Sequence, residues 1–195
     1  MPKKVDQRER RTLIAEALMR VAAEQGLEAV SLRHVAAEAG VSAGMVQHWF
    51  RTRDEMMAFA MQVVRERNQE RVTAAVARLG DDPAPRELLR TIIGTLLPLE
   101  DESRADGRVA LAFLAYTAVR PTASAALREE TAQMAGFFGS LLPVPDEGFG
   151  LLALMEGLGV YLLGGQITAA EARVALDAQL DLLFGRPVVS EPTGI

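Results

Sequence analysis

Gln47, His48 and Trp49 stand in a row, five to seven residues after Ser42 and four to six before Arg53, and each carries an N–H donor on a planar side chain. A glutamine amide sets a donor beside an acceptor, which complements adenine N6 and N7, whereas hydroxyls, free backbone amides and guanidinium groups suit phosphate oxygens. Ser42 with the amides that follow it, and Arg53 with a full charge, supply the second kind of contact. Arg33 is placed to reach a phosphate or a guanine edge. Catalytic chemistry finds little material. There is no cysteine, and histidine occurs only at His34 and His48, so thiolate zinc sites, cysteine nucleophiles and histidine-rich metal sites are excluded and no cofactor or metal is expected. Glu100-Asp101-Glu102 and Glu129-Glu130 are adjacent carboxylates that diverge on a helix, a solvated edge rather than an acid–base pair.

These side chains need a scaffold that turns them outward together. Ser31 is a good N-cap for a short helix through Ala39, Gly40 interrupts it, and Ser42 caps a second short helix through Trp49 or Phe50. Val35 and Ala36 face inward from the first, Ala39 is small where the two cross, and Val41 plugs the core behind the turn. Val46 and Phe50, four apart, anchor the inner side of the second. This is the pattern of a helix-turn-helix. With those positions buried, Ala43, Gly44, Met45, Gln47, His48 and Trp49 are left toward the outer side and N-terminal end of the second helix, where base edges are read. Trp49 serves equally well to pack on the preceding helix or to donate its indole N–H to a phosphate. His34 reads as a surface or capping residue.

Strand signals are poor and alanine and leucine dominate the long segments, so the chain is expected to be all-α. A first helix runs from about Gln7 to Glu24, with Leu13, Ala17, Leu18 and Val21 on one stripe and Gly26 as its stop. Arg8, Arg10 and Arg11 lie near its start and would add nonspecific phosphate attraction. Thr52-Arg53-Asp54-Glu55 is a capping box that opens a long helix from about Arg53 to Leu79, ended by Gly80-Asp81-Asp82-Pro83-Ala84-Pro85. Helices follow at about 86–97, 103–118, 122–141, 147–164 and 169–184, the last opened by a second capping box from Thr168 to Glu171. The tail 186–195 has two prolines and no periodicity and is expected to be mobile.

The net charge of −5 hides an asymmetry: residues 1–53 hold nine Lys or Arg against six Asp or Glu, and the rest hold twelve against twenty. A basic end on an acidic body fits one face meeting a polyanion. The charged first residues lack the apolar run of a secretion signal, which points to the cytoplasm. Residues 148–165 are mostly apolar but carry Glu156 and six glycines, so a buried or intersubunit helix is expected there, with no membrane partner.

The segments Gly26-Leu27-Glu28-Ala29-Val30, Ala36-Ala37-Glu38-Ala39-Gly40-Val41-Ser42 and Phe50-Arg51-Thr52-Arg53-Asp54-Glu55-Met56 together resemble the DNA-binding domain of the tetracycline-repressor (TetR) family of bacterial regulators. The likeness covers roughly residues 10–57, in residue types and in every spacing; the rest agrees in length and helical character only. Two positions depart from the pattern. Gln47 stands where the family usually has a tyrosine, which makes it the best candidate for direct base readout, and Arg53 stands where a lysine is usual, which keeps the phosphate charge and changes its geometry.

The resemblance implies a transcriptional regulator, a repressor that binds operator DNA as a homodimer and is released by a small-molecule effector bound in the carboxy-terminal helices. It implies a helix-turn-helix domain over residues 1–52 and a helical effector-binding and dimerisation domain over 53–185. A dimer on a palindrome is also expected physically, because one short recognition helix makes too few contacts for specific affinity. Leu151, Leu154, Leu158 and Leu162 form one stripe and Leu176, Leu180 and Leu183 another, suited to an intersubunit four-helix bundle, with Gly157 and Gly159 permitting close approach. Met57, Met61, Phe113, Tyr116, Phe137 and Tyr161 could line an effector cavity, although most apolar residues of any helical bundle are core. Glu156 suits a cationic ligand or an arginine across a dimer. The competing function is an all-α enzyme or small-molecule carrier without DNA. It would need a catalytic group in the acidic body, where neither cysteine nor histidine occurs.

Overall fold

Local hydrogen bonds fix where the helices begin. The Thr168 amide donates to a Glu171 carboxylate oxygen at 2.8 Å and the Glu171 amide donates back to the Thr168 hydroxyl at 3.2 Å, both halves of a capping box. At the other box the Glu55 amide donates to the Thr52 hydroxyl at 3.1 Å, while the Glu55 carboxylate accepts from the Arg51 amide at 2.7 Å, one residue further back than a standard box. The computed structural model describes residues 2–26, 29–118 and 121–185, with 2–7 and 121–126 as backbone only. The tail 186–195, expected to be mobile, lies outside the described residues.

Among the described residues there are nine α-helices and no strand: α1 Pro2–Gln25, α2 Leu32–Glu38, α3 Ala43–Trp49, α4 Arg53–Val76, α5 Pro85–Leu96, α6 Asp101–Ala118, α7 Pro121–Leu141, α8 Gly148–Leu163 and α9 Ala169–Gly185. The all-α expectation holds. α1 starts five residues earlier than expected, at Pro2, and α4 tightens into a 3-10 turn at Ala77–Leu79 before Gly80 adopts a positive φ of 88°. No described helix is long and apolar enough to cross a membrane.

Packing divides the chain into two units, one of Met1–Arg71 with Pro98–Pro121 and one of Val72–Leu97 with the chain from Thr122 onward. In the first, Ile14, Leu18 and Val21 of α1, Val35 of α2, Val46 of α3 and Val109 of α6 share one core with Met56, Met57, Ala60, Val63 and Val64 of α4. The domain boundary expected at 52/53 is therefore not a break in packing, because the buried face of α4 belongs to the same core as the helix-turn-helix. Leu13, expected on the inner stripe of α1, is 40% exposed, and its neighbour Ile14 takes the core position. α1, α4 and α6 are also tied by charge. The buried Asp106 carboxylate accepts from Arg67 Nη1 at 3.3 Å and Arg71 Nη1 at 2.9 Å, and Arg67 Nη2 donates to Glu16 at 2.9 Å.

The second unit packs α9 on α5 and α8. Its core includes Leu89, Ile93, Phe138 and most of the leucines expected at a dimer interface. Leu151, Leu158 and Leu162 of α8 and Leu176, Leu180 and Leu183 of α9 are buried within one chain, and Leu154 is half-buried. This corrects their assignment to an intersubunit seam: both stripes are consumed by the fold of a single copy. What the two helices leave exposed is Phe149, Val160 and Tyr161 on α8 and Val174 and Leu182 on α9. Within one copy, close backbone approach lies at other glycines than Gly157. A Cβ on Gly157 would meet nothing within 4 Å, whereas one on Gly148 would lie 2.3 Å from the Ala135 carbonyl and one on Gly139 2.5 Å from the Pro145 carbonyl. Arg90 grips Asp177 through two nitrogens at 2.5 and 3.0 Å, and Arg86 holds Asp181 at 2.6 Å, pinning α5 along α9. Arg90's hydrogen bond holds the Asp177 carboxyl below its ordinary value.

Candidate nucleic-acid interface

The reading head is built from two capped turns. The Ser31 hydroxyl accepts from the His34 amide at 3.1 Å and starts α2, and the Ser42 hydroxyl accepts from the Met45 amide at 3.2 Å and starts α3. Between them Gly40 takes a φ of 66°, a left-handed conformation that a Cβ disfavours, and the Val41 amide returns to the Ala36 carbonyl at 2.9 Å. His34 supports this turn from the side, its Nδ1 lying 3.1 Å from the Ala29 carbonyl. That makes it a structural residue.

α3 is sharply two-faced. Val46 and Phe50 are fully buried, and Ala43, Gly44, Gln47 and His48 are exposed. Met45 and Trp49 are half-buried, and Trp49 packs against the core of the unit with its ring 4.9 Å from that of His48 in an edge-on arrangement. Packing, one of the two roles open to Trp49, is thus present, with the residue still partly exposed. Arg33 is exposed on α2.

Arg53, first residue of α4, is half-buried, and its guanidinium lies 5.7 Å from the ring centre of Tyr116 on α6. The Tyr116 hydroxyl donates to the carboxylate of Asp54. The first arginine cluster behaves differently from expectation. Arg8 pairs with Glu66 at 2.7 Å, and Arg11 turns inward, its guanidinium 4.3 Å from the ring centre of Phe59 and 5.0 Å from that of Phe50. Spacing along α1 carried no sign of this, because the two rings come from after α3 and from α4.

The expected effector residues fall in both packing units, Met57, Met61, Phe113 and Tyr116 in the first and Phe137 and Tyr161 in the second. Met57 is fully buried, Tyr116 nearly so, Met61 and Phe113 are half-buried against the same core, and Phe137 and Tyr161 are exposed on α7 and α8. A cleft of about 340 Å³ in the first unit is lined by mixed charge, including Glu16, Arg20, Arg67, Asp106 and Arg108, and none of the six borders it.

Two family profiles match in tandem: bacterial regulatory proteins of the tetR family over residues 14–59, and the BetI-type transcriptional repressor carboxy-terminal domain over 85–185. The chain belongs to the TetR family. Like the rest of this family it is a DNA-binding transcriptional regulator and not an enzyme. The TetR-family chain is 31% identical to the regulator BetI of Stenotrophomonas maltophilia over 89% of its own length and 92% of that protein. It is 40% identical to the regulator PksA of Bacillus subtilis over 60% of its length, a match that spans only 55% of PksA. Among solved structures it is similar to a transcriptional regulator from Rhodococcus sp. Rha1, with a TM-score of 0.81 and 30% identity over 92% of this chain and 98% of that one. Sequence reasoning missed Asp54 as part of this regulator's head. Its only signal was membership of the Thr52–Glu55 capping box, which says nothing of a tyrosine 62 residues away.

Proposed function

We propose that the chain is an effector-released repressor that binds a palindromic operator as a two-fold dimer. The outward face of α3 carries the reading: Gln47 and His48 stand exposed on a Ser42-capped helix whose opposite side is locked by Val46 and Phe50. Gln47 pairs with an adenine through its amide, with His48, Ala43, Gly44 and Met45 approaching the neighbouring base edges. Arg33, Ser42 and Arg53 hold phosphates, and Trp49 braces α3 from behind. Two such heads bind half-sites one helical turn apart, about 34–36 Å.

The dimer is assigned to the apolar surface that α8 and α9 leave uncovered. Phe149, Ala153, Glu156 and Val160 recur at helical spacing on one exposed face of α8, and Val174, Ala178 and Leu182 do so on α9. Apolar surroundings raise the Glu156 carboxyl above its ordinary range, which suits a position that a partner would cover. Tyr161 fits this surface better than an effector pocket. Met57, Met61, Phe113, Tyr116 and Phe137 stay as candidate contacts for a small-molecule effector, whose binding would favour an arrangement of α4 incompatible with one-turn spacing of the heads. Such a regulator works in the cytoplasm, where the chromosome is.

Selection from a library of randomised duplexes tests the first claim. The bound duplexes are expected to carry an inverted repeat with half-sites one turn apart, held with an affinity that falls steeply with salt. Indifference to every duplex would overturn the reading. A thermal-shift screen of small molecules against the full chain tests the second, with hits expected to release the selected duplex.

A further inference from the structure

We infer, resting on the reading of α3 as the helix that enters the major groove, that Gly44 is a specificity-determining residue. It leaves a notch at the centre of the outward face of α3, and the notch seats the 5-methyl group of an operator thymine beside the adenine read by Gln47. At about 100° per residue, Gly44 lies about 160° around the helix from the buried Val46 and about 40° from the exposed His48. It is therefore the position of α3 most nearly opposite the core, and it is exposed. The centre of the outward face is what a reading helix pushes deepest into a groove. Here that position carries no side chain.

Nothing among the described residues asks for glycine there. Gly44 has ordinary helical backbone, outside the left-handed region that Gly40 occupies. Beyond its own helix backbone and chain neighbours, a Cβ added to it would meet only the Ser42 hydroxyl, at 3.9 Å, an ordinary contact. Glycine also weakens a helix relative to alanine, so the fold gains nothing from it. Openness alone does not single it out, because Gly94, Gly136 and Gly157 are as open. Placement does: of the four, only Gly44 is on α3, where it shares a face with Gln47 three residues on. Ala43 and Gly44 offer no side-chain donor or acceptor. The group that a base pair projects into the major groove without needing one is the thymine methyl. Gly44 and Gln47 are about 4.5 Å apart along the helix axis, close to the spacing of base pairs, about 3.4 Å, so the two contacts fall on neighbouring pairs.

The test uses the full chain and a duplex selected by the wild-type protein from a randomised library. Each half-site is expected to carry a thymine, on either strand, in a base pair next to the adenine whose preference Gln47→Ala relaxes. Deoxyuridine in place of that thymine removes only the methyl group and should weaken wild-type binding about three- to fivefold, the worth of one buried methyl. G44A should weaken binding to the thymine duplex about ten- to hundredfold, the scale of one methyl forced into filled space, while its melting temperature equals or exceeds that of the wild type. For this variant the order of the two duplexes reverses: G44A should bind the deoxyuridine duplex more tightly than the thymine duplex and recover most of the loss. A merely structural role for Gly44 would move both duplexes alike. The inference is overturned if G44A binds the thymine duplex as tightly as the wild type, if its melting temperature falls, or if the half-sites hold no thymine beside such an adenine. It is equally overturned if deoxyuridine relieves the loss at no thymine of the half-site, which would put sugar or phosphate against α3 instead. Should the wild-type chain select no duplex, the regulator reading itself fails, a result distinct from a wild type that binds and a G44A that binds equally well.

Discussion

A glutamine and a tyrosine on the same recognition helix ask different things of DNA. Tyrosine more often holds a phosphate, whereas the paired donor and acceptor of Gln47 are matched to one edge of one base. Gln47 is exposed and rooted on a helix whose inner face is rigidly packed, so its substitution should change specificity rather than stability. Gln47→Ala is expected to relax the preference at one position of each half-site, removing about 1–3 kcal/mol of discrimination there, with a change in stability within about 0.5 kcal/mol. Repeating the duplex selection with the variant checks this, and an unchanged preference would take Gln47 out of direct readout. Arg11 carries the contrary lesson. It lies near two expected phosphate-seeking arginines, yet it spends its charge on the faces of Phe50 and Phe59.

Two predictions belong to pairs of helices. At the first residue of α8, a Cβ on Gly148 would run into the backbone of Ala135 and Gly139 on α7, so Gly148→Ala should destabilise the chain by about 1–3 kcal/mol, measured by urea unfolding, whereas Gly157→Ala should cost far less because its site is open. Along α5 and α9, the Arg90 bond lowers the Asp177 carboxyl below its ordinary 3.8. A lowered carboxyl contributes stability that is complete above 3.8 and is lost as pH falls through the depressed folded value. Asp177→Asn should therefore flatten the loss of stability on acidification below about pH 4, a window set by the free aspartate value. Unfolding midpoints of the two proteins between neutral pH and that range report it. These elements also mark how far the sequence could be read. Helix starts at Ser31, Ser42, Thr52 and Thr168 were legible because a cap is a bond between residues three apart. The inward set Val35, Ala36, Val46 and Phe50 was legible from helical spacing. The leucines of α8 and α9 were not assignable, because spacing reveals an apolar face and not whether it meets the same chain or another copy. The Tyr116–Asp54 pairing was hidden for a related reason: it joins residues 62 apart that only the tertiary packing brings together.

At the level of the whole molecule, the exposed apolar face of α8 and α9 is the least explained by one copy. Val174 is 69% exposed and Leu182 57%, and neither contributes to the core beneath. Lysine at both positions should leave helicity and melting behaviour nearly intact while shifting the protein to a monomer by light scattering and abolishing specific binding to the selected duplex. A variant that stays dimeric would move the interface elsewhere. The Asp106 clasp has a mechanical corollary for the long helix that carries Arg53. Arg67 and Arg71 sit one turn apart on α4 and reach the same buried carboxylate from successive rungs. Sliding α4 along α6 by a fraction of a turn would strip a sunken anion of a cation on one rung before the next arrived. A slide of a whole turn fares little better, since it would bring Val63 or Ala75 to one of the two rungs and leave the carboxylate a single arginine: the clasp allows the helix one setting along this axis.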